Sequence, residues 1–439
     1  MASTYLTRTN SSAPTNANKA TMSVWIKLSK ILSSSDDIGI LGTNDPSAYN
    51  VAGATQIGFY NGGFYVWLKN SSGTYYKEKS TRLLRDPHGW YHIVVRLDST
   101  QASGDNRIKA WINNEEVTAW DNINDLAQNT PVNVNGQNDI RIGRYTFTGG
   151  THNYFDGCMS HFHLCDGQTY SPTDFGETDS TTGEWKIKAN PSLTYGTNGF
   201  WILKDGNSVT DSSSNSNAFS VGGGTLTNTE DCPSNVFCTA NPLSKGSDTV
   251  LTNGNTTARN DTSNNSNTLG TIAFGNGKYY FEGYRHGGGN IGIGVCLASA
   301  DGTTHSSVEA GRVLYYENGT IFCEGLSDQS NISTGVTYAD TDKISVSMDT
   351  ENGILKFYKN DTLVTYGTIT NSKFTNAENL WVPHTYQNNG GEWRLNFGNG
   401  YFGTTAVSSA GTNASNNGIF EYDVKPSDAT ALSTKGLNK

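Results

Sequence analysis

Residues 96–120 read RLDSTQASGDNRIKAWINNEEVTAW, and residues 346–366 read VSMDTENGILKFYKNDTLVTY. Each runs as an acidic residue, a polar loop, an alternating strand, an Asn-led turn and a second strand. Ile, Trp, Phe or Leu alternates with Lys, Asn or Thr at period two, which buries one face of a strand and wets the other. The turns fall at Asn113-Asn114 and Asn360-Asp361, residue types that tolerate the positive φ of a two-residue hairpin turn. Two such hairpins, far apart, predict two antiparallel β-sandwiches in tandem.

The rest of the chain agrees with an all-β reading. Segments such as MSVWIKLS (22–29), FYVWLK (64–69), WYHIVVRLD (90–98), DIRIGR (139–144) and CMSHFHLCD (158–166) are short and alternating, and Gly, Asn and Ser clusters separate them. Glycine numbers 49 in 439 residues, so turns are plentiful, and aromatics at 11% leave enough bulk for two full cores. SPTD at 171–174 is the one helix start, with Ser as cap and Pro at the first helical position. Residues 205–246 are thin in large apolar groups and read as a linker, so the expected division is 1–204, linker 205–246, 247–403, and a polar tail 404–439.

Charge narrows the function classes. With 30 Lys and Arg against 40 Asp and Glu, the net charge of −10 and the absence of a basic run argue against a nucleic-acid binder. No apolar stretch reaches bilayer length and the N-terminus lacks a signal-like apolar core, so no membrane insertion and cytosolic synthesis are expected. The six cysteines are scattered. Cys158 and Cys165, seven apart on one strand, are expected on opposite faces; Cys232 and Cys238 could meet across a turn, although free thiols are the expected state.

The residues also carry resemblances. MSVWIKLS, WYHIVVRLD, RIKAWINNEEV, DIRIGR and YFDGCMSHFHLCDGQTYSPTDFGE resemble the laminin-G-like, concanavalin-type jelly roll, with Asn114 where that family commonly has Gly. KYYFEGY, NIGIGVC, DKISVSMDTENGILKFYKNDTLV, LWVPHTY and GEWRLNFG resemble a SPRY sandwich. A further block series, including TDFGETDSTTGEWKIK, DCPSNVFCTANPL and GIFEYDVKPSDATALSTKGLN, resembles structural proteins of tailed, particularly marine, phages. The last resemblance implies a virion surface protein made in a bacterial host cytoplasm. Its partners would be other virion proteins and a host-surface glycan or receptor, and a homo-oligomer is expected, with a trimer as one form it would take.

Candidate sites follow from these readings. Glu177 and Asp179 have the alternate spacing of a glycosidase pair but lie in a Gly- and Thr-rich stretch, expected to be a solvated loop. Met159, His161, His163 and Cys165 are expected on one strand face, where His92 or His152 would have to complete a metal site. Calcium is the better-motivated cofactor, because laminin-G-like modules hold it at a loop rim; its candidate ligands are Asp36, Asp37 and Asp156, with Asp121, Asp125 and Asp139 behind them. Tyr49, Tyr60, Trp120, Tyr145, Tyr284, Tyr315, Tyr316 and Tyr386 stand near predicted loops, where a ring can stack on a sugar. The SPRY resemblance singles out Tyr284, Arg285, His286 and Tyr386 as rim positions. Trp25, Trp90, Trp111, Trp381 and Trp393 read as core.

The expected function is a non-enzymatic virion surface protein of tail-fibre or adhesin type. An alternative is a head-decoration or tail structural subunit with an assembly role only, which the start of the chain at the jelly roll favours. A glycan depolymerase is a third reading.

Overall fold

The computed structural model describes residues 3–44, 52–146, 152–204, 208–300, 311–326 and 330–437; Tyr49 lies outside them. The chain divides into two compact units, Met1–Asn228 and Thr229–Lys439. Both are built of antiparallel sheets facing each other across an apolar core.

In the first unit, an eight-stranded sheet runs in the order Trp120–Asn124, Tyr75–Ser80, Gly63–Lys69, Thr55–Tyr60, Ile38–Thr43, Asp139–Ile142, Tyr5–Thr9 and Ser220–Gly223. The six-stranded sheet opposite runs Phe200–Ile202, Gly157–Asp166, Lys19–Leu28, Tyr91–Asp98, Ile108–Ile112, Glu115–Glu116. Alternation sends Met22, Val24, Ile26, Ile93 and Val95 from one sheet toward Ile57, Phe59, Phe64 and Val66 from the other. The turn residues Asn113 and Asn114 have φ of 50° and 67°, and Asn360 and Asp361 have 45° and 71°, so both hairpins close through left-handed pairs as their residue types allow. Asn114 therefore supplies the geometry that Gly supplies elsewhere.

The outer faces of these sheets are also covered. Arg144–Thr146 lies across the eight-stranded sheet over glycines: a Cβ on Gly39 would meet Tyr145 N at 2.3 Å, and one on Gly58 would meet Ile38 O at 2.3 Å and the Tyr145 ring at 3.0 Å. Only bare backbone admits so close an approach. On the six-stranded sheet, Ser171 caps the short helix Pro172–Phe175, and its N–H donates to Asp174 Oδ2 at 2.7 Å, closing a capping box.

A buried carboxylate fixes the N-terminal loop. Asp166, 0% exposed, accepts Thr15 N–H at 2.8 Å, Asn198 N–H at 3.0 Å and the Asn135 amide at 2.7 Å. Asn198 and Asn135 in turn donate to Ser12 O, Asn16 O and Lys19 O. Asp211 plays the same part for the segment that follows, accepting Trp201, Ser213 and Asn217 N–H.

Residues 205–246 are therefore divided between the units: Ser220–Gly223 pairs with Tyr5–Thr9 in the first, and Ala240–Lys245 pairs with Ser266–Gly270 in the second. Their low apolar content reflects side-chain oxygens that satisfy backbone donors, which a loop leaves to water. All six cysteines are free thiols, including Cys232 and Cys238.

The second unit pairs a seven-stranded sheet (Ala240–Lys245, Ser266–Gly270, Trp381–Gln387, Ile291–Leu297, Arg312–Tyr316, Thr320–Glu324, Ile332–Ser333) with an eight-stranded one. The latter runs Val250–Thr252, Thr257–Asn260, Gly391–Asn396, Lys278–His286, Lys343–Asp349, Ile354–Lys359, Thr362–Thr370, and Thr430–Ala431 adds in parallel beside Tyr279 and Tyr280. Phe281, Ile293, Val346, Phe357, Trp381 and Trp393 fill the space between. The polar tract 253–268 supplies the strand Thr257–Asn260 and the start of Ser266–Gly270. The expected tail beyond 404 is packed too: Phe420, Val424, Ala429 and Ala431 cluster with Phe237 and Tyr280.

Replacing Asp166 with Ala leaves the buried Asn198 N–H and the part-buried Thr15 N–H without their acceptor, while the Asn135 amide keeps Asn16 O and Lys19 O. At about 1–3 kcal/mol for a buried donor left unpaired, urea unfolding of the first unit is expected to show a loss of at least ~1 kcal/mol.

Candidate functional site

Strand period divides the rim residues read from the sequence. Along Lys278–His286, Tyr279 and Phe281 enter the core, so Gly283 and Arg285 share that inward side, whereas Tyr280, Glu282, Tyr284 and His286 face out. The Arg285 guanidinium donates to Tyr338 O at 3.0 Å and Gly289 O at 3.2 Å, which stitches the sandwich shut at this end. Tyr315 is fully buried, its hydroxyl bonded to Val336 O and its pKa pushed up to about 12 by burial. Tyr386, 5% exposed, faces out from the other sheet, against Tyr316 at 5.2 Å and bonded to Asn265.

In the first unit Tyr145, 0% exposed, donates to Phe59 O at 2.7 Å, and burial raises its pKa. Tyr145, Tyr315 and Tyr386 therefore present no open ring face to a ligand. Of the expected rim positions, Tyr284 and His286 face out from one sheet, Arg285 turns inward and Tyr386 packs on the other sheet against Tyr316.

The residues that do come together at the surface lie around Tyr284. Cross-strand register puts Lys343 and Arg394 on either side of it. Both cations stand 5.8 Å from its ring centre, worth roughly 0.5–1 kcal/mol each at such a site. His286 stacks on the same ring at 6.3 Å and Phe402 tilts against it at 5.9 Å. Both cations are themselves held, Arg394 Nε by Glu392 at 2.6 Å and Lys343 by Glu421 at 2.8 Å, and His286 Nδ1 stands 3.4 Å from Asp340.

The adjoining loops are fixed as well. Asn388 accepts Asn290 N–H at 2.9 Å and donates to Asn265 at 3.0 Å, and Gly287 N–H donates to Asp340 at 3.2 Å. The result is a part-exposed aromatic and cationic patch beside a preformed loop end, a composition that suits recognition. Lys343, Arg394 and Phe402 escape a reading of the sequence because only strand register makes them neighbours of Tyr284.

The facing expected for the histidine and cysteine set is corrected. A bulge between Ser160 and His163, where His161 has φ of 48°, switches the face of the strand Gly157–Asp166. Met159 packs on the inner core, whereas His163 and Cys165 face outward, and Cys158 and Cys165 fall on the same side. Asp36 already holds a cation, the Lys30 ammonium, and accepts Ser33 N–H at 2.8 Å. Burial would raise its pKa, but these bonds together hold it below the usual range. Asp37 accepts Asn61 N–H at 2.8 Å, and burial raises its pKa. Among the described residues, no three or more His, Cys, Asp or Glu gather as a metal site, with Asp156 or otherwise.

Glu177 and Asp179 sit on and beside a small ribbon, Gly176–Thr178 with Trp185–Ile187, and not in a plain loop. Asp179 accepts Thr182 N–H at 2.9 Å, Thr181 N–H at 2.8 Å and Lys186 at 3.0 Å; these bonds lower its pKa, opposite to what a general acid needs.

Trp25 and Trp111 belong to the outer face of the six-stranded sheet and not to the inner core. There His92 lies between Trp25 at 4.8 Å and Trp185 at 5.9 Å. Trp185 Nε1–H donates to its Nδ1 at 3.0 Å, so the ring proton sits on Nε2, which reaches Ser23 Oγ at 2.8 Å. Burial takes this histidine down to about 3, and His163, stacked on Trp201 at 4.9 Å, is lowered well below the ordinary value by burial first.

Comparison with known proteins places the second unit. Residues 278–400 match the family model of the SPRY domain. Similar solved structures include the SPRY domain of human HERC1, at 16% identity over 36% of this chain and 96% of that one, with a TM-score of 0.28. The TRIM65 PSpry domain is another, at 11% identity over 36% and 89%, with a TM-score of 0.29. No curated protein matches the chain. The chain thus carries a SPRY domain within its second unit.

The buried histidines set a pH dependence. An unfolded histidine binds a proton near 6.5 and the folded His92 near 3, so the unfolded state binds more protons between these values. Stability is complete above about 6.5 and falls on acidification by up to about 1.4 kcal/mol per pH unit for each such histidine. Calorimetry is expected to show the first unit's transition dropping across that window, and less steeply in His92→Phe.

Proposed function

We propose that the chain is a non-enzymatic recognition protein whose SPRY domain engages its partner through the Tyr284 patch and the neighbouring loop end. The observation that carries this reading is the SPRY match over residues 278–400, together with a part-exposed aromatic ring held between Lys343 and Arg394. A part-exposed Tyr, flanking cations and loops already hydrogen-bonded into one conformation reduce the ordering cost of binding.

The finer reading rests on the sequence resemblances. The first unit acts as a laminin-G-like jelly roll, and the whole as a phage virion surface subunit, tail-fibre or adhesin in type, presented as an oligomer to a host-surface glycan or protein.

Purified full-length protein tested for binding to host cells and on a glycan array checks this directly. Wild-type protein binds, and Tyr284→Ala weakens binding at least about tenfold with an unchanged thermal transition. Absence of binding, or full binding by the variant, overturns the reading.

A further inference from the structure

Glu282 is the group that the binding site does not use. It faces outward from the middle of Lys278–His286, two residues before Tyr284, and is 0% exposed because the C-terminal segment crosses over it. Its carboxylate accepts Glu421 N–H at 2.9 Å and Tyr422 N–H at 3.0 Å from that segment, the Asn396 amide at 3.2 Å and the Tyr280 hydroxyl at 3.1 Å. Around it the segment packs Phe420 edge-on against Tyr280 at 5.0 Å.

The charged and titratable groups facing it are few. Its own strand offers Tyr280 and Tyr284, the next strand Lys343, the strand Gly391–Asn396 contributes Glu392 and Arg394, and the crossing segment Glu421 and Tyr422. Lys343 is taken by Glu421 and Arg394 by Glu392, and among the described residues no ion pair reaches Glu282. A carboxylate enclosed without a cation is disfavoured in its charged form. Three of its four partners can only donate. The Tyr280 hydroxyl alone can reverse and accept a hydrogen bond from a neutral Glu282, and the Ser345 hydroxyl is buried beside Tyr280.

We propose that Glu282 is a proton-operated latch: docking of the 417–424 segment on the sheet takes up one proton at this carboxyl, with the Tyr280 hydroxyl turning to accept a hydrogen bond from it. The proposal concerns the fold of the second unit and stands apart from the identity of its partner. Burial takes the group up to about 7, against 4.5 when exposed, with the four donors opposing the rise. A raised folded value means that the docked state binds more protons between those limits. Docking is therefore strongest below about 4.5 and weakens as pH rises through about 7. Undocking would release Lys343 from Glu421 beside Tyr284 and expose Tyr280.

The test uses the full chain. Infrared titration of the wild type against Glu282→Gln is expected to reveal a protonated carboxyl with a midpoint near 7. Amide exchange at Glu421 and Tyr422, corrected for the intrinsic rate, is expected to slow by up to about two orders of magnitude from about pH 8 to about pH 5, and to be flat in the variant. A midpoint in the ordinary carboxylate range, pH-independent exchange in the wild type, or equal pH dependence in Glu282→Gln each overturns the proposal. Should the variant not fold, the wild-type titration and exchange decide alone.

Discussion

A segment laid on the outer face of a sheet carries backbone N–H groups away from water, and each must find an acceptor there. In both units a buried side-chain carboxylate supplies it. Asp166 holds the backbone at Thr15 and Asn198, and Glu282 holds that at Glu421 and Tyr422. The constraint explains why stretches that look like linker or tail by composition are integral. A Ser- and Asn-rich segment has little apolar area with which to dock, but it can dock where one carboxylate collects several of its donors.

This arrangement also enlarges the second unit beyond its family match. Residues 278–400 hold the central strands, yet Phe237 bridges to Ser433, Thr430–Ala431 pairs beside Tyr279, and Phe420 covers Tyr280. The start and end of the unit are knitted to each other across the SPRY core. The Tyr284 patch sits at the margin of that covering, where Lys343 touches Glu421 on one side and faces Tyr284 on the other. Cover and patch thus share a charge.

Much of the architecture was legible in the sequence. Period-two runs located the principal strands, the Asn-Asn and Asn-Asp pairs marked turns that need positive φ, and SPTD marked the helix. What escaped has physical causes. The bulge at 160–163 inserts one residue and flips the face of His163 and Cys165 relative to Met159, which no alternation count anticipates. Tyr145 is interior because glycines distant in sequence open a seat for its strand. Strands such as Thr257–Asn260 are polar on both sides, their side chains bonded to neighbours, so hydropathy is silent about them. Of the site, Tyr284, Arg285 and His286 were legible as rim positions near a loop, without their facing, but Lys343, Arg394 and Phe402 were not, because register and not sequence spacing brings them there. Asp166 and Glu282 gave no local signal at all: each reads as an ordinary carboxylate until the segments that cross it are placed.

The central claim is that these crossing segments are parts of the folded units. Calorimetry of the full chain against the same chain ending at Gly403 tests it most directly. If the C-terminal segment completes the second unit, the truncated chain loses that unit's cooperative transition while the first unit's is unchanged. Two transitions at unaltered temperatures in the truncated chain would contradict the account.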